Sequence, residues 1–265
     1  MTTGGRPGPY ATVAQELSGT AFGSIEYVEE TDSTNADAAA LLGDDRFGGY
    51  TIVAEYQRHG LGRKGRSWQA QPGTALLFST ILPRALPTET LWLVQYWVAL
   101  ALRNALHRCG VTTLLQWPND VLLGPRKLAG VLCQSAVTGP SARVACGVGI
   151  NVRRLSGALS PFDSAEADKV AFCDDVTPVE RDALLREVLI EYNRSLFMLD
   201  QPDRAIADWD SAAGLPGMRY RIQPDNGDQS FQATAQGLSG DGDLQLMHDD
   251  GRFETVSLAD ARVMR

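Results

Sequence analysis

Between Gln57 and Trp68 the chain reads Gln-Arg-His-Gly-Leu-Gly-Arg-Lys-Gly-Arg-Ser-Trp. Gly60, Gly62 and Gly65 remove side chains where backbone must turn tightly or lie against a ligand. Arg58, Arg63, Lys64 and Arg66 put four positive charges in this stretch and no acidic residue interrupts them. Bare backbone N–H groups beside Arg and Lys suit phosphate or carboxylate oxygens. Taken alone, such a run is more often a solvated surface loop. It is not a Walker loop, because Arg66-Ser67 follows Gly65 where that motif needs Lys and then Ser or Thr. Gly60, Gly62 and Gly65 have dinucleotide-fingerprint spacing, but Arg63-Lys64 and then Ser67-Trp68-Gln69 do not open a helix. The loop stands out against an acidic chain of 265 residues, with 32 Asp and Glu against 24 Lys and Arg and a net charge of −8.

Other residues offer matching chemistry. Lys127 in Arg126-Lys127-Leu128-Ala129-Gly130 presents an ammonium where Gly130 permits close backbone approach. Its bland alternative is a surface lysine whose stem lies along apolar groups. Asn119 and Asp120 after Trp117-Pro118 offer oxygens for a nucleotide or for Mg²⁺, or simply make a turn. Ser33 or Thr34 can cap a helix, with Asp37 three residues after Thr34 in capping-box spacing. Trp68 is a large flat apolar surface that serves a ligand or a core equally well.

Five motifs in order, Asp32-Ser33-Thr34-Asn35, the Gln57–Trp68 loop, Trp117-Pro118-Asn119-Asp120, Lys127-Leu128-Ala129-Gly130 and Gly147-Val148-Gly149-Ile150-Asn151, resemble those of the biotin protein ligases. The resemblance implies an α+β fold: a mixed sheet with helices packed on it, as in class II synthetases, plus a small C-terminal SH3-like β domain. It implies that biotin and ATP give biotinyl-5'-AMP, and that a lysine of a carboxylase biotin-carrier domain then takes the biotinyl group. By the same resemblance, biotin's ureido ring lies near Ser33, Thr34, Asn35 and Gln57, with Gly60, Leu61 and Gly62 lining the pocket. Arg63 closes over biotin and the adenylate, and Lys127 contacts the reacting carboxylate and α-phosphate. Lys64, Arg66, Trp68, Asn119, Asp120 and Asn151 serve the nucleotide, Trp68 against adenine and Asp120 as a candidate Mg²⁺ ligand. Arg63 and Lys127 are therefore the expected catalytic pair. Two departures weaken the match: Leu61 stands where many relatives carry Arg, and Leu258-Ala259-Asp260-Ala261-Arg262-Val263 lacks the usual Gly-Glu-Val-like ending.

These residues need elements to hold them. Ile25–Val28 and Thr51–Tyr56 alternate as strands, and Ala36–Leu42 reads as a helix ending at Gly43. Residues 74–82 form a continuous apolar run typical of a buried strand. A long helix is expected from Thr88 to Cys109, apolar at 91, 94, 98, 101, 102, 105 and 106, capped by Thr88 and stopped by Gly110. Short strands are expected at 114–117, 121–123, 127–134 and 143–152, followed by a loop over 153–176. Thr177-Pro178-Val179-Glu180 has the cap, proline and glutamate of a helix start, for a helix to about Leu199, and 203–213 reads as a second helix. After Gly214-Leu215-Pro216-Gly217, strands at 220–222, 231–235, 244–247 and 253–256 alternate with turns at 225–228, 240–242 and 249–251. The organisation expected is a loose tail over 1–12, a catalytic domain over 13–214 and the β domain over 215–265.

The acidic balance argues against DNA binding, and no stretch of about 60 residues is left for a winged helix before the first motif. The apolar segment Leu91–Leu102 is too short for a bilayer, and no secretory signal is evident, so a cytoplasmic protein is expected. Cys109, Cys133, Cys146 and Cys173 form no metal-ligand spacing and read as free thiols. Expected partners are biotin, ATP with Mg²⁺, and the carrier domain of an acyl-CoA or pyruvate carboxylase, with the enzyme a monomer or weak homodimer and no DNA or membrane. A lipoate or octanoate transferase is the nearest alternative, but none of the cysteines sits with a histidine as an octanoyl nucleophile would, and the Gly-Gly-Gly loop of a lipoate ligase is absent. A biotin-dependent repressor is the third reading.

Like charges and glycines together oppose a single conformation for Arg58–Trp68. Its amides are therefore expected to exchange quickly in the free protein and slowly with biotinyl-AMP. Hydrogen–deuterium exchange checks this, and equal protection in both states contradicts it.

Overall fold

The computed structural model describes residues 8–155, 167–225, 229–258 and 261–264. Its main sheet has eight strands. The edge pair β1 (Ile25–Thr31) and β2 (Thr51–Gln57) is parallel, joined through α2 (Thr34–Ala40). β3 (Ala75–Ile81) is antiparallel to β2 and to β8 (Ser141–Asn151). The ladder continues through β7 (Arg126–Thr138), β6 (Asp120–Leu123) and β5 (Leu114–Gln116), while β4 (Leu86–Pro87) pairs separately with β8. The sheet is thus mixed, as expected.

The two sheet faces differ in what they bury. Because side chains alternate along a strand, Val144, Cys146, Val148 and Ile150 of β8 enter the large core. Ala145 joins a small core with Ile52, Ile81 and the α2 residue Ala38. The large core is covered by α3 (Trp92–Arg108), which packs in turn against α4 (Arg181–Ser195) and α5 (Pro202–Ala213). This is why α3 does not carry the single apolar stripe read from the sequence. Tyr96, Trp97 and Leu100 are buried besides Val94, Val98 and Ala101, since the helix lies between sheet and helices. No described helix is long and apolar enough to cross a membrane.

Several local expectations change. Within 8–12, read as the end of a loose tail, Tyr10 is buried against Tyr27 and α1 (Ala11–Glu16) follows it, while Gly8, Pro9 and Thr12 are exposed. Thr88 does not cap α3, which starts at Trp92 after a 3-10 turn; the Thr88 hydroxyl donates to the Pro140 carbonyl instead. α4 starts at Arg181, not at Pro178, because the Thr177 amide still bonds back to Cys173 and Glu180 is extended. At α2 the cap is Ser33, while Asp37 accepts from Thr31 Oγ1 at 2.6 Å, so no reciprocal capping box forms. The expected loop over 153–176 falls partly, at 156–166, outside the described residues, as do 226–228 of the 225–228 turn.

A second sheet, antiparallel throughout, follows Gly214: β9 (Arg219–Pro224), β10 (Phe231–Leu238), β11 (Leu244–Met247), β12 (Phe253–Val256) and β13 (Ala261–Met264), in the order β12-β11-β10-β9-β13. It docks on α3. Gly242 has φ +79°, and a Cβ there would lie 2.3 Å from the Trp92 ring. One hydroxyl joins the parts: Tyr96 donates to the Gly242 carbonyl at 2.5 Å and accepts from Trp117 Nε1 at 3.0 Å. Burial holds that phenol well above its usual pKa, so it remains a donor at any working pH. Tyr96→Phe leaves a buried N–H and a carbonyl without their partner and should cost about 1–3 kcal/mol. A urea melt measures this, and an unchanged midpoint would show that the hydroxyl bridge carries no net stability.

Candidate active site

The residues of interest converge on the α2 face of the main sheet. Between Ala145 and Asn151, β8 carries only Gly147 and Gly149 on that face, so its backbone forms a low floor. A Cβ on Gly147 would lie 2.2 Å from Asn35 Nδ2, and one on Gly149 2.5 Å from the Trp68 ring. The N-terminus of α2, the end of β2 and the loop after it rise around this floor. They enclose a cleft of about 950 Å³ including its open mouth.

One end is a hydrogen-bonding wall. Gln57 Oε1 accepts from the Thr34 amide at 2.8 Å and from Thr34 Oγ1 at 3.1 Å. Thr34 Oγ1 also meets Ser79 Oγ at 2.8 Å. With its carbonyl so engaged, Gln57 has its NH₂ donors left for a ligand. Asn35 Nδ2 donates to the Leu132 carbonyl at 2.7 Å, and its Oδ1 is buried with no partner among the described residues. A wall that combines amide donors, hydroxyls and a buried acceptor suits a planar amide-like or urea-like group.

The other end is cationic. Lys127 is fixed through its backbone, whose N–H donates to the Lys169 carbonyl and whose carbonyl accepts from the Ala171 N–H, both at 2.8 Å. Its Nζ pairs with Asp120 at 2.6 Å and lies 5.5 Å from the centre of the Trp68 ring. Arg63 is half-buried; desolvation first, and the neighbouring Arg66 second, push its pKa down. An anion beside it would relieve both effects. Its guanidinium donates to the Leu258 carbonyl of the second sheet's domain.

The loop closes as a small hairpin, not a helix start. The Trp68 N–H donates to the Gly60 carbonyl at 2.8 Å, the Gly62 N–H to the Arg66 carbonyl at 2.7 Å, and Leu61 bridges Ser67. Lys64 is left-handed at φ 56°, a conformation that costs a non-glycine residue about 1–3 kcal/mol.

Of the residues expected at the site, Ser33, Thr34, Asn35, Gln57, Leu61, Gly62, Arg63, Arg66, Trp68, Asn119, Lys127 and Asn151 line this one cleft. Three do not. Gly60 lines a separate crevice behind the loop, where a Cβ would meet the Trp68 carbonyl at 2.5 Å. Lys64 is turned away to an ion pair with Asp225. Asp120 lies behind Lys127 as its counter-charge. No group of three or more His, Cys, Asp or Glu able to hold a metal occurs among the described residues. Asp120 is paired with the Lys127 ammonium, and Mg²⁺ is commonly held by one or two carboxylates together with substrate phosphates. Asn119 is a brace as well as lining, donating to the Val131 carbonyl at 2.6 Å. Sequence reasoning missed Ser79 and the Leu132 carbonyl, which sit inside apolar strand runs, and Val170, which follows the undescribed stretch. The Gly147-x-Gly149 alternation was the available signal for the floor.

A family model described as the biotin/lipoate A/B protein ligase family matches residues 27–151. The biotin–[acetyl-CoA-carboxylase] ligase of Mycobacterium tuberculosis is 29% identical over 258 residues, which is 94% of this chain and 92% of that protein. The bifunctional ligase/repressor BirA of Bacillus spizizenii is 26% identical over 237 residues, 85% of this chain and 70% of that protein. The solved biotin protein ligase of Aquifex aeolicus, in complex with biotin and ATP, superposes with a TM-score of 0.73 at 22% identity, covering 91% of this chain and 99% of that one. That likeness extends over both sheets and shows the shared fold. Motif order, cleft and fold agree with the similarity of residues 27–151 to the biotin/lipoate A/B protein ligase family.

Proposed function

We propose that this protein is a biotin protein ligase, which activates biotin with ATP to biotinyl-5'-AMP and transfers the biotinyl group to a lysine of an acceptor protein. The observation that carries the reading is the pairing, in one cleft, of a urea-binding wall with a cationic end. Thr34, Asn35, Gln57 and Ser79 suit a ureido ring; Lys127, Arg63 and Arg66 suit a carboxylate beside a phosphate. The relatives named as biotin ligases support the same substrate.

In the first step the biotin carboxylate attacks the α-phosphorus of ATP and pyrophosphate leaves. Two anions must meet, and negative charge grows on the phosphoryl oxygens. Lys127 is already held in place to offset that charge, and Arg63 and Arg66 add to it from the loop. Trp68 would offer its face to the adenine, and Asn151 lines the same cleft. Mg²⁺ accompanying the nucleotide would be carried by its phosphates. In the second step the neutral amine of the acceptor lysine attacks the acyl carbon, an amide forms and AMP leaves. The acceptor we propose is the biotin-carrier domain of a carboxylase, in keeping with the relatives' names. An octanoyl-transferase reading is disfavoured because no cysteine is among the residues that line the cleft.

Removing one fixed charge donor of this kind typically slows a reaction by about 100- to 1,000-fold. Lys127→Gln is expected to slow single-turnover adenylate formation by about that factor. Lys127→Arg should recover only part, since a planar fork does not replace a point charge. A thermal melt run alongside separates a folding defect from a chemical one, and near-normal adenylate formation by Lys127→Gln would remove Lys127 from the chemistry. Arg63→Ala should instead speed release of biotinyl-AMP and increase labelling of non-acceptor lysines; unchanged retention of the intermediate would remove Arg63 from the clamp.

A further inference from the structure

Cys133 of β7 and Cys146 of β8 are direct register partners across the antiparallel ladder. Both belong to the large core beneath α3, on the sheet face opposite the cleft. Their side chains lie on the same face of the strand pair, and the neighbouring Cys133 first, and burial second, push the Cys146 thiol well above its usual pKa. Cys146 is fully buried, whereas Cys133 is partly exposed and lines a crevice with Leu91, Trp92, Gln95 and Leu258. Neither cysteine serves the chemistry proposed above. Both are nevertheless one residue from the cleft wall. The carbonyl of Leu132 holds Asn35, and Gly147 is the floor on which Asn35 rests.

We propose that Cys133 and Cys146 form an oxidisable dithiol site, which a peroxide converts to a cross-strand disulfide that weakens ligand binding in the cleft. The accessible Cys133 attacks the peroxide, giving a sulfenic acid and one water (or alcohol, from an organic peroxide). The sulfur of Cys146 then displaces the sulfenic oxygen, which leaves as water with the Cys146 proton. Two thiols are oxidised and one peroxide is reduced, so the balance closes without another reactant. The register suits the bond, because opposed residues of an antiparallel pair lie within disulfide Cα spacing. Closure still requires the Cβ atoms to approach by about 1 Å, from the ordinary cross-strand distance to about 3.8 Å. That movement is passed to Leu132 and Gly147 and disturbs the seat of Asn35. The effect on affinity rests on the reading of the cleft as a biotin site; the disulfide itself does not.

The test treats the intact reduced protein with hydrogen peroxide, maps peptides without reduction, and titrates biotin by calorimetry before and after. A Cys133–Cys146 linked peptide is expected, with biotin affinity lowered about fivefold, the loss of roughly one hydrogen bond. Dithiothreitol should restore it, and Cys133→Ser should keep its affinity through the same treatment. A Cys133 that stops at the sulfinic acid, or a linked peptide with unchanged affinity, overturns the proposal. If the reduced protein binds no biotin, the functional reading fails, and the presence or absence of the linked peptide alone decides the dithiol site.

Discussion

The structure depends on the absence of side chains at two successive positions on one face of one strand. β8 runs through the middle of the main sheet, between β3 and β7, and presents Gly147 and Gly149 toward α2. Asn35 and Trp68 approach its backbone more closely than any Cβ would allow. The opposite face of the same strand is filled by Val144, Val148 and Ile150, which anchor it in the large core. Alternation thus makes one strand both a rigid core element and the floor of a cleft. The walls follow from the topology, because the parallel β1–β2 connection brings the start of α2 and the end of β2 to the same edge of that floor.

The cations at the cleft are mounted in two ways, and the mounts divide their work. Lys127 sits on a strand with its backbone bonded on both sides and its ammonium beside Asp120. Charge held in this way needs no reorganisation when the reaction begins. Arg63 and Arg66 sit instead on a short hairpin built on glycines. The hairpin is also tied to the second domain, through Arg63 to the Leu258 carbonyl and Lys64 to Asp225. Lys64 therefore contributes to the position of the loop in this structure and not to the lining of the cleft.

Much of this was legible in the sequence where pattern and chemistry coincide. Thr34, Asn35, Gln57 and Lys127 fall together at the cleft as the resemblance implied, on strands and a helix start that pattern had marked. The second sheet was legible from its turn residues, although β13, in the atypical C-terminal segment, was not. What could not be read depended on tertiary context. Ser79 lies within a fully buried strand, where one hydroxyl gives no periodic signal, and only the approach of Thr34 gives it a role. Asp120 had the chemistry of a metal ligand, but its register with Gly130 places it beside Lys127. Thr177 to Glu180 had every local feature of a helix start, and the bond from Thr177 back to Cys173 delayed the helix to Arg181.

The central claim is that one cleft joins a ureido-binding wall to a cationic centre and so couples biotin to ATP. The most direct measurement is mass spectrometry of a purified biotin-carrier domain after incubation with this protein, ATP and biotin, with lipoate offered in parallel. The account predicts one biotinyl mass added at a single lysine, dependent on ATP, and no lipoyl adduct. An unmodified carrier domain, or one that gains lipoate in place of biotin, would contradict it.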